Sequence, residues 1–546
     1  MISQSSFPTQ PRPRRSLILC SALTAALLAL ALALGAELRA CEGLGFTWGR
    51  RALLFAPAFA LLGVLLYAMQ CRLIRPHVLM TPARVPRFVP LCALFFVCYT
   101  PALLAYCPGI FAYDSSAQIL QGINSAYTAY HPLLHTLLLS GCVRLGHVLH
   151  SYTLGAGIYT LVQMAGLSAL FTLSVRELSR LGVSRLALFL VVAFYALYPV
   201  NAIMAISATK DTLFSGLVAL LLMRTVTVLR QPRAFLQSRR QVVSYALLAI
   251  FTCLWRNNGV LALFVMGAVC ILLYRGLRLR LAALFAACIV GYVGVSAALI
   301  AACDAETNRS LDVFSLPIEQ MARVAKLHGS ELDADLAAAL SEYMPLGEEN
   351  PYEPHLADPV KMQMSKDSFT RDPAAFVTLW LRLGAAYPGE YLDAALLLNQ
   401  GVWDPLDTSV GRIYHMWEAG QHGYLQTKFQ RHIDDERGIR IEQKSFLPRL
   451  YDLYERFCTD NVHQQNPVTN LFFSPGTLLW LCLIALALFL MQRRKAEVSA
   501  GAFLLGLFLT QLFGPCALVR YAYPFFTCAP LMLALLPMRP HLPETR

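Results

Sequence analysis

The chain has 546 residues, of which 57% are hydrophobic and only 14% are charged. A soluble protein has about 25% charged residues, so this composition excludes a typical soluble domain and indicates a protein that crosses a membrane several times. The formal charge of +12 does not indicate nucleic-acid binding. Lys and Arg concentrate in short segments between apolar runs, as they do in the cytoplasmic loops of membrane proteins.

Apolar runs of about 20 residues, the length that crosses a bilayer, predict an all-α protein with about twelve transmembrane helices and both termini in the cytoplasm. The first run is longer than the hydrophobic region of a signal peptide, so we predict that it is a span. The predicted helices are 16–36, 51–70, 88–106, 152–175, 185–204, 211–229, 241–255, 258–274, 280–302, 470–490, 498–517 and 519–537.

The composition divides the chain into four predicted parts. Residues 1–87 are a cytoplasmic tail with two extra transmembrane helices, 88–302 form a membrane core, and 470–546 form the C-terminal helices. Between them, 303–469 holds most of the acidic residues. Its apolar residues recur at helical spacing between Pro-rich breaks, which predicts a mostly helical extracytoplasmic domain.

The cysteines do not indicate a metal site. Most of the fifteen lie in apolar runs, where cysteine behaves as a small hydrophobic residue, and there is no CxxC or Cys/His ligand spacing. Cys303 and Cys458 stand near the two ends of the large polar segment. They would form a disulfide if that side is oxidising, and two unpaired thiols are the alternative.

The segment 107–151 is the predicted first catalytic loop. It opens with a Pro-Gly turn and presents a single carboxylate, Asp114, among Tyr, Ser and Gln residues. An acid just beyond a membrane helix end is costly unless it has a function. The alternative is an aspartate that caps the short helix beginning near Ser115.

A His-Pro step and a second histidine follow in this loop, at His131 and His135. Residues 131–149 are apolar enough to cross the membrane, but counting them as a span would move the next basic loop to the outside. A stripe formed by Thr136, Ser140, Arg144 and His147 instead predicts an amphipathic helix in the outer interface. The two leading histidines lie on a different face, which we predict to be directed toward the helix bundle.

Ionisable residues recur at the predicted outer helix ends. Snorkelling toward lipid headgroups explains a single cation there. It does not explain a cation at each of three tight turns on the side that the positive-inside rule keeps poor in cations. Such groups suit a phosphate or diphosphate headgroup. The residues are Asp114, Lys210 and Asp211 in SATKDT, Arg256 with Asn257 in LWRNNG, and Arg520 with Tyr523 in LVRYAYP.

One carboxylate with several cations at the outer membrane surface suits sugar transfer from a lipid-linked phosphate donor. The acid takes the proton of an acceptor hydroxyl, and the cations stabilise the negative charge on the departing lipid phosphate. Asp114 is therefore the predicted catalytic base. An alternative for the second task is a divalent metal ion held by Asp114 with His131 or His135. The predicted substrate-binding residues are His131, His135, Lys210, Asp211, Arg256, Asn257, Arg520 and Tyr523.

The order FAYDSSAQ, YHPLLHTLL, a membrane helix and RELSRLGVSR resembles the GT-C superfamily of polyprenyl-phosphate-sugar-dependent glycosyltransferases. This superfamily includes protein O-mannosyltransferases and aminoarabinose transferases, and the likeness covers roughly 88–230. It implies a GT-C-like bundle, a polyprenyl-phosphate sugar donor and a glycan, lipid or protein acceptor at the outer face of the cell membrane. Many members carry paired acids where Asp114 is followed by Ser115. The motifs IEQMAR, ADPVK, YPGEY and GVWDP also resemble a family of uncharacterised bacterial membrane proteins.

Two other functions fit the layout. An O-antigen ligase or polymerase also has about a dozen helices and a late outer loop, and would rely on Arg323, Arg412, His415 and Arg520. A lipid or solute transporter would require interrupted helices and acids within the spans.

Overall fold

The protein is described here by a computed structural model that covers residues 14–43, 48–74, 82–111, 113–307, 311–408, 441–458 and 460–538. Within these ranges the chain is all-helical and contains no β-strand, which confirms the predicted all-α class.

The helices of the first part run from α1 to α13: α1 (Arg14–Cys41), α2 (Trp48–Ile74), α3 (Phe88–Ala105), α4 (Tyr113–Asn124), α5 (Leu133–Val148), α6 (Tyr152–Arg180), α7 (Arg185–Leu197), α8 (Pro199–Ile206), α9 (Lys210–Arg230), α10 (Pro232–Gln237), α11 (Arg239–Trp255), α12 (Gly259–Leu273) and α13 (Arg278–Ala302). Those of the second part are α14 (Ser315–His328), α15 (Ala334–Ser341), α16 (Asp358–Gln363), α17 (Lys366–Arg371), α18 (Pro373–Ala386), α19 (Pro388–Leu398), α20 (Gln400–Trp403), α21 (Pro448–Cys458), α22 (Pro467–Phe473), α23 (Pro475–Met491), α24 (Lys495–Gln511) and α25 (Val519–Leu535).

Six of the described helices are long and apolar enough to cross a membrane: α1, α2, α3, α6, α9 and α13. Two pairs pass the same test together but are bent, α7 with α8 by 49° and α22 with α23 by 63°. Each bend precedes a proline, Pro199 or Pro475, whose ring disfavours helical continuation. The described chain therefore has six to eight candidate spans, as expected of a multi-pass membrane protein.

The other four predicted spans are also helices, but shorter ones. They are α11, α12, α24 and α25, with 15 to 17 residues each. A straight helix of 17 residues is about 25 Å long, a little less than the hydrocarbon core. The helices themselves are present as predicted, and the total of twelve crossings stays a prediction.

Helix α9 is the centre of the bundle. Almost all of its 21 residues are buried, and α6, α11, α24 and α25 pack around it. The outer helices α3 and α13 instead expose large aliphatic side chains, among them Val89, Val97 and Val290. An extensive apolar outer surface is what a lipid environment favours.

Charged pairs lie at both ends of this central helix. Asp211 at its N-terminal end pairs with Arg256, and Arg230 at its C-terminal end lies 2.8 Å from Glu497. At 1.5 Å per residue, Asp211 and Arg230 are roughly 30 Å apart along the helix, about the thickness of a hydrocarbon core, and Arg224 near the C-terminal end is the one charged residue between them. The spacing of the two charged layers therefore matches one membrane crossing.

The polar stripe predicted on α5 is half buried. Thr136 and Ser140 are covered by α4, while the other two residues of the stripe are exposed. Gln118 of α4 donates a hydrogen bond to Thr136 Oγ1 at 3.0 Å. Gly122 makes the close approach possible, because a Cβ there would lie 2.0 Å from the Cβ of Ser140. Only the C-terminal half of the stripe is thus available to an aqueous interface.

Helices α5 and α6 touch through two glycines, and this contact yields a first prediction. A Cβ at Gly146 would lie 2.5 Å from the Cα of Gly155, whereas a Cβ at Gly141 would meet nothing within 4 Å. Gly146→Ala should lower the free energy of unfolding by about 1–3 kcal/mol through overpacking. Gly141→Ala on the same helix is the matched control and should raise stability slightly, since alanine favours helix. Equal unfolding midpoints of the two variants in detergent would contradict the tight contact.

The segment 303–469 contains a hydrophobic core of its own, formed within residues 311–391. Ile318 and Met321 of α14 and Phe376 of α18 are fully buried in it. Apolar residues of α14, α15 and α18 meet there, as the helical spacing of the sequence predicts.

The two cysteines near the ends of this segment are not joined. Cys303 is half-buried and Cys458 is buried, and both are free cysteines. Cys458 belongs to the core of the membrane bundle. Of the two alternatives open from the sequence, the structure has the unpaired thiols.

Candidate functional site

The loop that precedes α4 is tied to the loop that precedes α9. Ile110 donates its N–H to Ile206 O at 2.9 Å, and Ala208 donates to Ile110 O at 2.7 Å. Gly109 (φ +139°) allows this pairing, since a Cβ there would lie 2.4 Å from Thr160 Oγ1 and 3.0 Å from Ile206 O. The Pro-Gly turn singled out in the sequence thus brings the start of α4 beside the start of α9.

Asp114, in the first turn of α4, is bound by two cations from distant parts of the chain. Lys210 Nζ lies 2.8 Å and Arg520 Nη1 lies 3.1 Å from Asp114 Oδ2. The carboxylate is one-quarter exposed, while the side chains of Lys210 and Arg520 are 14% and 7% exposed. Three segments separated by up to 406 residues in sequence therefore meet at one carboxylate.

A second ion pair adjoins the first. Asp211 is fully buried and pairs with Arg256, and its Oδ2 accepts a hydrogen bond from Thr209 Oγ1 at 3.0 Å. Arg520 Nε lies 3.9 Å from Asp211 Oδ2, so Arg520 connects the two carboxylates. We call the five residues Asp114, Lys210, Asp211, Arg256 and Arg520 the ion cluster.

An aromatic ring joins the two arginines of the ion cluster. The guanidinium groups of Arg256 and Arg520 lie 4.8 Å and 5.0 Å from the ring centroid of Tyr521, within the range of a cation–π interaction. The sequence prediction did not include Tyr521. Its position next to Arg520 in the YAYP run was the available signal.

The ion cluster determines the protonation of Asp114. Burial alone would raise the pKa of this carboxyl, but the positive charges of Arg520 and Lys210 outweigh it and hold the pKa well below its usual range. Asp114 is therefore a carboxylate at neutral pH.

The two predicted histidines are buried, and the charges of the ion cluster act on both of them. His131 is 6% exposed, and burial lowers its pKa to about 4, although the charge of Asp114 acts in the opposite direction. His135 is fully buried, and its Nε2 lies 2.7 Å from Tyr159 OH. Both imidazoles are neutral at physiological pH.

Two predicted site residues stand apart from the ion cluster. Asn257 is exposed, and its Oδ1 accepts a hydrogen bond from Tyr292 OH of α13 at 3.3 Å. Tyr523 is fully buried and donates to Asn201 Oδ1 at 2.9 Å. Tyr523 therefore connects α25 to α8, in the interior of the bundle.

Of the four residues of the ligase alternative, the structure describes Arg323 and Arg520, which have different partners. Arg323 lies 2.7 Å from Glu390 and donates to Tyr352 OH at 3.1 Å, so it holds α14 within the outer segment. Arg412 and His415 lie outside the described residues. Across the described part of the chain, no group of three His, Cys, Asp or Glu side chains is arranged to hold a metal ion.

Comparison with known families places the chain in one of them. Residues 122–540 match the model of a family of unknown function, DUF6020. The chain belongs to this family. The matched region includes four residues of the ion cluster and begins shortly after the fifth, Asp114. No curated protein and no solved structure matches the chain.

Proposed function

We propose that this DUF6020 member is an integral membrane glycosyltransferase. It moves a sugar from a polyprenyl-phosphate donor to a glycan, lipid or protein acceptor at the outer face of the cytoplasmic membrane, with Asp114 as the general base. The observation that carries the proposal is the convergence of Asp114, Lys210 and Arg520, which the sequence places far apart.

The distribution of basic residues supports the proposed orientation in the membrane. The C-terminal ends of α6 and α9, with Arg176, Arg180 and Arg230, and the short helix α10 with Arg233 lie opposite the ion cluster, as expected of a cytoplasmic side. The ion cluster then faces the outer leaflet, both termini are cytoplasmic, and 303–469 is extracytoplasmic. We propose that the four shorter helices also cross the membrane, which would give a GT-C-like bundle of twelve crossings with α5 near the outer interface.

The charge of the ion cluster suits the proposed donor. Its three cations exceed its two carboxylates by one positive charge, since Asp114 and Asp211 are opposed by Lys210, Arg256 and Arg520. A polyprenyl-phosphate sugar is a phosphodiester with one negative charge. Lys and Arg bind phosphate oxygens through charge-assisted hydrogen bonds, so the donor phosphate would neutralise the site.

Phosphate binding would also activate the base. A carboxylate held by Lys210 and Arg520 is a weak proton acceptor, because its pKa is far below neutral. When the donor phosphate takes over these two cations, the negative charge on Asp114 is no longer compensated and its proton affinity rises. Without the donor, Asp114 is therefore held in an ion pair in which it is a weak base, and binding of the donor increases its basicity.

The transfer step then uses the residues of one site. The acceptor hydroxyl loses its proton to Asp114, and its oxygen forms a bond to the anomeric carbon of the sugar. The bond from that carbon to the phosphate oxygen breaks, and its electron pair leaves with the lipid phosphate. Lys210 and Arg520 stabilise the second negative charge that develops there.

A transporter is the second candidate, because α7–α8 and α22–α23 are interrupted apolar helices. Interrupted helices line substrate sites in many transporters. The ion cluster, however, lies at helix ends rather than in the middle of a crossing. Lipid flipping or solute uptake into sealed vesicles should survive Asp114→Asn if transport is the function, whereas sugar transfer should not.

The cations provide a direct test of the glycosyltransferase proposal. Lys210→Gln should reduce transfer of labelled sugar from polyprenyl-phosphate hexoses by about 100-fold or more, since one preorganised charge at the leaving group is lost. Arg144→Gln is the matched control, because Arg144 is an exposed cation of α5 on the same predicted outer side, and its guanidinium donates to Ser125 Oγ at 2.6 Å. Equal activity of both variants would exclude Lys210 from the phosphate site.

A further inference from the structure

A series of hydrogen bonds connects the segment before α9 to His135, and it begins at Gln163 of α6. Its amide Nε2 donates to Ser207 O at 2.7 Å and to Ala205 O at 3.0 Å, two carbonyls just before α9. Because the amide nitrogen is directed at carbonyl oxygens, Gln163 Oε1 is left as an acceptor. It accepts from Tyr159 OH at 2.7 Å.

These hydrogen bonds determine the tautomer of His135. The Tyr159 hydroxyl uses its only proton toward Gln163, so its oxygen can serve His135 only as an acceptor. His135 Nε2, 2.7 Å from that oxygen, must therefore carry the imidazole proton. Since the imidazole is neutral, Nδ1 carries a lone pair and acts as an acceptor.

Two buried polar atoms next to these hydrogen bonds have no hydrogen-bond partner in the described part of the protein. Among the described residues, neither His135 Nδ1 nor the indole Nε1 of Trp255 has a hydrogen-bond partner. His135 is 0% and Trp255 is 4% exposed, and their rings meet edge to face with centroids 6.1 Å apart. A buried acceptor and a buried donor on two rings in contact, each of which would be costly to leave unsatisfied, indicate a place where a ligand group with both functions binds.

The pair adjoins the ion cluster. Trp255 directly precedes Arg256 at the end of α11, and α5 with His135 packs against α11. The charges of Lys210 and Asp114 act on His135. The ligand group that reaches the pair would therefore belong to a molecule whose phosphate is held by Lys210 and Arg520.

We infer that His135 Nδ1 and Trp255 Nε1 form a hydroxyl-binding subsite for the sugar ring of a polyprenyl-phosphate hexose. The inference rests on the proposed function and specifies which residues read the sugar rather than the phosphate. A phosphate oxygen would satisfy the indole N–H but would oppose the lone pair of Nδ1. A sugar hydroxyl donates to one and accepts from the other, either as one group or as two neighbouring groups of one ring. Tyr159 and Gln163 are positioning residues, because they hold His135 in the accepting tautomer.

The test compares the binding of two classes of lipid to the purified full-length protein. The probes are polyprenyl-phosphate glucose, mannose and galactose, polyprenyl phosphate itself, and the methyl ester of polyprenyl phosphate, which carries the same single negative charge as the sugar lipids. At least one sugar lipid should bind the wild type more tightly than the methyl ester does. Trp255→Phe removes the indole N–H and keeps an aromatic ring. It should therefore weaken the binding of that sugar lipid by about 3- to 10-fold, the value of one hydrogen bond, and leave the affinity for the lipids without sugar unchanged.

Two further variants make the outcome specific. Tyr159→Phe removes the hydroxyl that keeps the proton of His135 on Nε2, so either tautomer becomes possible. This variant should therefore also reduce the preference for the sugar lipid. Trp480→Phe is the matched control, because the indole of Trp480 already donates to Trp403 O at 2.8 Å, and it should change neither affinity.

The outcomes separate the subsite from the proposed function. If Trp255→Phe and Tyr159→Phe keep the full preference for the sugar lipid, or if no sugar lipid is preferred, the subsite is refuted and the pair holds only water. If Lys210→Gln weakens the binding of polyprenyl phosphate in the same experiment, the phosphate site is supported even when the hydroxyl-binding subsite is refuted. If the wild type does not bind polyprenyl phosphate, the proposed function falls and the subsite with it.

Discussion

Asp114→Asn is expected to lower the rate of sugar transfer by about 100- to 10,000-fold, the contribution of a positioned general base. Asparagine has nearly the same shape but cannot accept the proton of the acceptor hydroxyl. The carboxylate of Asp114 is one-quarter exposed, but its partners Lys210 and Arg520 are only 14% and 7% exposed, so loss of its charge should also lower the free energy of unfolding, by about 1–3 kcal/mol. Binding of polyprenyl phosphate should be as tight as in the wild type or tighter, since Lys210 and Arg520 no longer compete for a carboxylate.

The two readouts together distinguish catalysis from misfolding. Asp333→Asn, at an exposed acid of the outer segment, is the matched control and should leave transfer unchanged. The ligase alternative predicts the reverse pattern, in which Arg412→Ala removes activity and Asp114→Asn retains it. Activity of Asp114→Asn within threefold of the wild type would remove Asp114 from the mechanism.

Glu497→Gln is expected to lower the free energy of unfolding by about 3–5 kcal/mol, because it leaves two buried cations without their anion. Glu497 Oε1 lies 2.7 Å from Arg494 Nη2 and 2.8 Å from Arg230 Nη2. The side chains of Arg494, Arg230 and Glu497 are 1%, 11% and 6% exposed. This carboxylate joins the C-terminal end of α9 to the start of α24, so its loss should separate the two helices at the predicted cytoplasmic side.

A second cluster at the same end of the bundle supplies the control. Glu177 pairs with Arg180 and Arg224, whose side chains are 50% and 24% exposed and can be hydrated when the anion is removed. Glu177→Gln should therefore reduce stability by no more than about 1 kcal/mol. The comparison uses unfolding in detergent, and equal losses for the two variants would show that burial of the arginines does not decide the effect.

The helices were predictable because hydrophobicity along the chain is a local property. Each predicted span coincides with a helix or a bent pair of helices. The shortness of α11, α12, α24 and α25 was less accessible, since the capping residue and the turn that end a helix are weak signals beside a continuing apolar run.

The face of a helix that is covered depends on its neighbours and was harder to predict. The wheel of α5 separated polar from apolar residues correctly, but Gly122 lets α4 lie directly on Ser140. No feature of α5 itself reveals this contact. Half of its polar stripe is consequently buried.

In the candidate site, too, local sequence features were predictable and contacts between helices were not. The cations at the three tight turns could be identified because charge at helix ends is unusual on that side of a membrane. The wrong tyrosine of YAYP was predicted to join them: Tyr521 and Tyr523 point about 200° apart on the helix, and the helix alone does not show which side faces the arginines. Tyr521 contacts both arginines, whereas Tyr523 is directed at Asn201.

The most direct measurement is an electron cryomicroscopy structure of the full-length protein in lipid nanodiscs with polyprenyl phosphate. The account predicts the phosphate in contact with Lys210 and Arg520, on the leaflet opposite the helix ends at Arg180 and Arg230, with the Asp114 carboxylate released from one or both cations. A lipid phosphate bound elsewhere, or an ion cluster facing the cytoplasmic leaflet, would contradict it.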